Sequence, residues 1–539
     1  MQFNPGLPLM LSLLFRIFPG GIAGVARVAT ATATGLVPVL PFLLWRPVLA
    51  FRWRFLAGLL LAVWPGQVFF SGVTAQENWV LLPTVALAAL AVRRLRDPAD
   101  EGHPIVAGLL LCAAAAIRQE MLVAMSVPAL AAAGFPGRGP GRTTRLLRFA
   151  AAAAIPLALL AAERRAATGR FSITTEHGGL TVLGTLVPGS AAAGWLDPTL
   201  YVASIEPALL KEPARLRSAA WGLAADEARR RYRFHALRVA TALLRLSVES
   251  DAQNLFWSLE APGALSPDKA PAGAAWARAA RPLLRIELAL ISGFFLVAFL
   301  QGIRRRDSAV LVLAFAVVLK TSLQVAFSPL GRLMVPAIAL ELLVIALTAA
   351  DLAGPAAGRE RVAVLLLSVL ASVVLLASLP PLERLAIRKD EPPPRIARFP
   401  LAIAGGGGWV ECAVESGRLT AIAGDRAWIG STDAAARVAC RLPELRPGAT
   451  LGLDLEAPAV PGGRDPGAGF ERVEADGQER YRLDAGSEAA GSWRRIPLAS
   501  ATEPPPRTVA VETRGATAGF GFVRRVPGAP ALPRDRTLP

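Results

Sequence analysis

Apolar runs about as long as a bilayer is thick recur along this chain, and no other feature narrows its fold as much. Wound as a helix at about 1.5 Å per residue, about 20 apolar residues span the hydrocarbon core. Candidate spans cover residues 22–44, 55–71, 77–92, 149–162, 283–300, 309–327, 333–349 and 362–379. Hydrocarbon offers the backbone no hydrogen-bond partner, so such runs predict helices, and together they predict a polytopic α-helical membrane protein. A mean hydropathy of +0.44 excludes an ordinary soluble domain.

Residues 104–133 form a further apolar tract, interrupted by Arg118-Gln119-Glu120. The two pieces are each about a dozen residues, short for a full span, so the tract predicts a helical hairpin with a charged tip at one membrane face. The alternative is one long helix with a buried charge cluster.

Charge placement sets the orientation. The net charge is +17, but the basic residues fall in short clusters between apolar runs, which suits headgroups and excludes a nucleic-acid-binding stripe. Fifteen arginines lie in one set of short loops, at 46–54, 93–96, 138–148, 304–306 and 359–361, against Arg118 and Arg332 in the other set. The positive-inside rule assigns the richer set to the cytoplasm. This holds if the split tract starts and ends on one side, as a hairpin does. Met1 then lies outside, although no secretory signal precedes the first apolar stretch.

The membrane region is expected over 1–380, with a long outer segment at 164–281. Within that segment 225–248 has helical spacing of apolar residues and an arginine cluster near its start, as expected of a helix along the headgroups or of an ordinary packed helix. A Pro-rich linker at 381–394 leads to 395–539, where short runs at 418–423, 427–429, 437–442 and 508–512, punctuated by Gly and Pro, predict a mainly-β, sandwich-like soluble domain. Cys412 and Cys440 lie in that domain; they form a disulfide if it faces an oxidising compartment and otherwise remain two thiols.

Several segments, in this order, resemble one family. They are WPGQVFFSGVTAQENWVLLPTVALAALAVRR at 64–94, GLLLCAAAAIRQEMLVAMSVPALAAAG at 108–134, ATGRFSITTEHGGLTVLG at 167–184 and SPLGRLMVPAIALELL at 328–343. The series resembles the GT-C membrane glycosyltransferases, most closely the protein-mannosyltransferase and aminoarabinose-transferase type. In 108–134 Gln119 replaces the usual proline of the Arg-Pro-Glu-like turn. The resemblance implies transfer of a sugar from a polyprenyl-phosphate-linked donor to a glycan, lipid or protein acceptor at the extracytoplasmic face of the inner (plasma) membrane. The family allows a divalent metal, but no ligand cluster for one is visible in the sequence. The alternatives are a catalytically silent relative that binds lipid-linked sugar and a membrane transporter.

Such chemistry needs a general base on the acceptor and positive charge for the leaving lipid phosphate. Glu77 begins a span on the outer side, either as a helix-start residue or as an acid bordering the cavity. Arg118 and Glu120 at the hairpin tip orient phosphate or neutralise each other. Arg332 is a phosphate contact or a snorkelling anchor, and His177 a solvated loop residue or an acceptor contact. Lys320 and Glu341 both lie roughly 12 to 14 Å deep in adjacent spans, so they are expected to pair, with a lipid-phosphate role for Lys320 as the rival. In the family an outer loop after a first span bears the key Asp or Glu. Residues 3–21 resemble only the tail of that loop, and no acidic residue precedes Glu77. The catalytic base is therefore unknown and expected upstream of Met1.

Overall fold

A computed structural model describes residues 6–525 except 19–20, 72, 98, 136–140, 169–177, 260–269, 328–329, 354–357, 393–395, 405–407, 424, 431–434, 443–449, 457–469, 485–492, 500–505 and 515–516. The chain forms two units, Met1–Gly178 with Arg231–Lys389, and Gly179–Arg230 with Asp390–Pro539.

In chain order the helices begin with α1 (Gly6–Ile17), α2 (Ile22–Leu36), α3 (Val39–Leu44), α4 (Phe51–Val63), α5 (Pro65–Phe70) and α6 (Gln76–Arg96). Next come α7 (Pro104–Ile117), α8 (Met121–Ala124), α9 (Ser126–Ala132) and α10 (Arg142–Thr168). The second unit holds α11 (Gly178–Leu186), α12 (Ser190–Ala193), α13 (Pro198–Ile205) and α14 (Pro213–Arg230). The first unit resumes with α15 (Tyr232–Leu259), α16 (Ala270–Arg305), α17 (Ser308–Phe327), a 3₁₀ turn at Gly331–Met334, α18 (Val335–Asp351) and α19 (Gly358–Lys389).

Among the described residues seven helical stretches are long and apolar enough to cross a membrane: Gly24–Leu44, Gln76–Arg96, Arg142–Ala166, Ala272–Arg305, Ser308–Phe327, Gly331–Asp351 and Gly358–Lys389. The chain is thus a helical multi-pass membrane protein with a C-terminal β region. Burial sorts the spans: 78% and 83% of the apolar windows of α6 and α18 are enclosed, against 17% and 22% for α10 and α19. The first pair forms the centre. The second pair turns leucines and valines such as Leu147, Leu159, Leu366 and Leu370 outward, where hydrocarbon suits them.

The expected span at 55–71 is corrected. Pro65 has no N–H to continue the helix and biases Trp64 to an extended backbone, observed at φ −58°, ψ 112°, so the run breaks into α4 and α5. The two pieces still connect the ends of the bundle. Near one end the Trp45 indole donates to the Ala89 carbonyl (3.2 Å), and at the other Gln67 Nε2 donates to Asn78 Oδ1 (3.1 Å), close to the start of α6.

The tract at 104–133 folds as a hairpin. His103 N donates to the Ala132 carbonyl (2.8 Å), closing its base, and the chain reverses at residues 118–120 between α7 and α8. Gly108 lets α7 press against α10, because a Cβ there would lie 2.6 Å from the Phe149 carbonyl oxygen and 3.0 Å from Ala153 N. Backbone atoms cannot yield as a side chain does, so Gly108→Val is expected to destabilise the helical unit by about 1–3 kcal/mol. Thermal unfolding of the purified protein in detergent tests this, and an unchanged Tm would rule out the close α7–α10 approach.

The stretch that spans 225–248 breaks at Arg231 between α14 and α15, and α15 is a packed helix, with Leu246, Val248 and Leu255 buried. Nor does the last span stop before the linker: α19 continues through Pro380 and Pro381 to Lys389. Arg245 of α15 pairs with Glu383 in this extension, and Ala386 is buried there, so tertiary contacts offset the hydrogen bonds that the prolines cannot make.

In the second unit β1 (Arg398–Ala404), β2 (Trp409–Ser416), β3 (Arg418–Ala423), β4 (Arg426–Gly430), β5 (Ala435–Arg441) and β6 (Thr450–Glu456) are followed by β7 (Phe470–Ala475), β8 (Gln478–Asp484), β9 (Trp493–Ala499), β10 (Thr508–Arg514) and β11 (Thr517–Arg525). One antiparallel run orders β1-β2-β5-β10-β7-β8, another β3-β4-β11-β6-β9, and the parallel pair β1–β11 joins them. Alternate residues of both runs, among them Phe399, Leu401, Val438, Val511, Ile429, Leu453 and Phe520, share one apolar core. On the outward side of the first run Arg437 pairs with Glu415 (2.8 Å) and Glu474 (2.6 Å), a solvated ladder across strands.

The expected outer segment 164–281 is divided between the units. Residues 179–230 belong with the β region, where Ala203 enters the β core and Thr199 Oγ1 donates to the Ile422 carbonyl (3.0 Å).

Candidate functional site

Four of the candidate residues meet where the hairpin tip reaches the start of α6. The Arg118 Nε donates to Glu120 Oε1 at 2.9 Å, and Arg118 Nη1 lies 3.3 Å from Glu77 Oε1. From α17, Lys320 Nζ donates to the same Glu120 Oε1 at 3.0 Å. Glu77 and Lys320 are 5% and 1% exposed, so this is a buried array of two cations and two carboxylates.

Local sequence explains the convergence. The break of helical pattern at Arg118-Gln119-Glu120 leaves a turn in which both charged side chains project from the tip. Glu77 lies in the first turn of α6, where the helix dipole favours an anion. Lys320 has a stem long enough to reach the tip from within its span. At the turn Glu120 Oε1 accepts from both Arg118 Nε and Lys320 Nζ. Glu120 is thus an anion bracketed by two cations.

The expected pairing of Lys320 with Glu341 is corrected. Lys320 Nζ forms its ion pair with Glu120, and among the described residues no ion pair joins it to Glu341. Glu341 turns toward α15 and α16, lying near Asp251 and beside Ser292, whose hydroxyl donates to the Ser247 carbonyl (3.1 Å). The two residues share a depth but face different neighbours. Arg332 is half-buried in the 3₁₀ turn Gly331–Met334, which packs on α15 through a hydrogen bond from Gly331 N to Gln253 Oε1 (2.6 Å). His177 lies outside the described residues.

A second polar group, absent from the sequence reading, borders the array. The Trp64 indole donates to Asp251 Oδ2 at 2.6 Å, and the carboxyl groups of Asp251 and Glu287 lie within hydrogen-bond reach of each other. Gly66 allows the approach, since a Cβ there would fall 2.0 Å from Asp251 Oδ1. Gln67 and Asn78 link this group to the residue after Glu77. Glu287 had a legible signal, an acid inside the apolar run 283–300; Asp251, in a polar stretch, had none.

Among the described residues no group of three or more His, Cys, Asp or Glu side chains is placed to hold a metal ion. Compared with known protein families, curated proteins and solved structures, the chain has no match.

Proposed function

We propose that the chain binds a polyprenyl-phosphate-linked sugar at the Glu77–Arg118–Glu120–Lys320 array and takes part in transferring that sugar to an acceptor at the extracytoplasmic membrane face. One observation carries this reading: Arg118 and Lys320 converge on a single oxygen of Glu120, 2.9 and 3.0 Å away. A phosphate oxygen that displaces the Glu120 carboxylate from that position meets the same two donors. In the transfer the bond from the anomeric carbon to the phosphate oxygen breaks, a bond to the acceptor oxygen forms, and the acceptor proton passes to a base. The two cations stabilise the charge that accumulates on the leaving phosphate. The order of segments resembling GT-C transferases supports the same reading.

Binding of a radiolabelled polyprenyl-phospho-sugar to the purified full chain tests the proposal. Hydrogen bonds to charged groups contribute about 1.5–3 kcal/mol each, so Lys320→Gln and Arg118→Gln are each expected to weaken binding roughly tenfold or more. A polyprenyl glycoside lacking the phosphate should bind no better to wild type than to either variant. Equal affinity of wild type and both folded variants for the phosphorylated donor overturns the assignment.

A further inference from the structure

At the opposite, arginine-rich end of the helical unit, a cavity of about 450 Å³ opens among α4, α16, α18 and α19. That volume lies within the range of roughly 300–1,000 Å³ of small-molecule sites. Its walls are apolar, with Phe294, Ala298, Ile345 and Leu365 among them, and no carboxylate contributes to the lining. Three polar side chains face it: Arg52, Arg361 and Thr348.

Two observations go beyond shape. Thr348 is 7% exposed and its hydroxyl has no hydrogen-bond partner among the described residues, a cost unless something in the cavity meets it. Arg52 lies over the Trp53 ring at 5.2 Å, and among the described residues no carboxylate pairs with it. Leu365, at 53% exposure, belongs both to the cavity wall and to the outward apolar face of α19, so the cavity communicates with the surface that hydrocarbon covers.

We propose that this cavity is a binding site for an anionic glycerophospholipid, with one acyl chain along the apolar wall, the phosphate between Arg52 and Arg361, and a glycerol or ester oxygen at the Thr348 hydroxyl. Basic pockets between membrane helices hold anionic headgroups by charge, and this one is lined by two guanidinium groups and no carboxylate; Arg361 donates its Nε to the Leu352 carbonyl, which fixes the group at the cavity wall. A free phosphate would leave the apolar wall unfilled. The positive-inside reading assigns this end to the cytoplasmic leaflet, where basic residues meet anionic lipids.

Trp53 supplies the readout. The full chain, reconstituted into vesicles, is compared with Trp53→Phe while brominated phosphatidylglycerol or brominated phosphatidylcholine replaces part of the bilayer; the difference isolates quenching of Trp53 from the other tryptophans. The anionic lipid is expected to quench Trp53 at several-fold lower mole fraction than the zwitterionic one, roughly fivefold for each arginine. Arg52→Gln/Arg361→Gln is expected to abolish the preference and Thr348→Val to weaken it. If the double variant does not fold, Arg52→Gln alone should remove about half of the preference on a logarithmic scale. Equal quenching by the two lipids, a preference unchanged in the folded variants, or loss of the preference on adding millimolar inorganic phosphate at constant ionic strength overturns the proposal.

Discussion

Glu120→Ala is expected to cost the helical unit about 3–5 kcal/mol. The reason is what the change leaves behind. Lys320 is 1% exposed and its Nζ donates to Glu120 Oε1, so truncation takes away a carboxylate in direct contact with a buried ammonium and leaves much of its desolvation unmatched. Arg118 retains Glu77 at 3.3 Å. Removing both members of the pair should be far milder: Glu120→Leu/Lys320→Leu is expected to unfold within about 1.5 kcal/mol of wild type, since an apolar pair of similar volume needs no compensation. Thermal unfolding in detergent of wild type, Glu120→Leu, Lys320→Leu and the double closes the cycle. Should the Leu double variant prove as unstable as Glu120→Ala, the ion pair is not what the single substitution breaks. The double variant also separates stability from binding, because it should fold yet bind the phosphorylated donor poorly.

That array was legible because charges inside apolar runs are conspicuous and costly. Glu77, Arg118, Glu120 and Lys320 could each be singled out from sequence, and the interrupted tract 104–133 gave the hairpin that brings two of them together. Partner choice was not legible. Counting residues along a helix gives depth but not azimuth, so Lys320 and Glu341 at matched depth looked paired, while α17 turns Lys320 toward the hairpin and α18 turns Glu341 toward α15. Nor does period alone tell a broken span from a straight one at 55–71, although the Trp64-Pro65 step carried the warning. Strand positions such as 418–423 were readable from turn residues and alternation, whereas the assignment of 179–230 to the β region depends on contacts roughly 200 positions apart, such as Thr199 with Ile422.

Loss of the Cys412–Cys440 bond is expected to destabilise the β region by about 3–4 kcal/mol. The structure joins the two sulfurs across neighbouring strands β2 and β5, where Cys412 and Cys440 are direct register partners. Closing a loop of 28 residues removes conformational entropy from the unfolded chain, which by the chain-entropy relation gives about 3–4 kcal/mol. Both residues are 1% exposed within the shared core, so a Cys412→Ala/Cys440→Ala variant keeps the packing partners while deleting the constraint. A lower Tm for this transition in the variant, matched by wild type under reductant, is the expected result. Thiol labelling gives an independent reading: the chain has three cysteines, and Cys112 alone should react in denatured, unreduced protein, with the other two appearing after reduction. Labelling that reductant does not change would sink the bond. It would also remove the chemical support for placing this region in an oxidising compartment, because a disulfide persists where thiols are not continually reduced. If the bond is present in protein isolated directly from cells, the β region faces away from the cytoplasm.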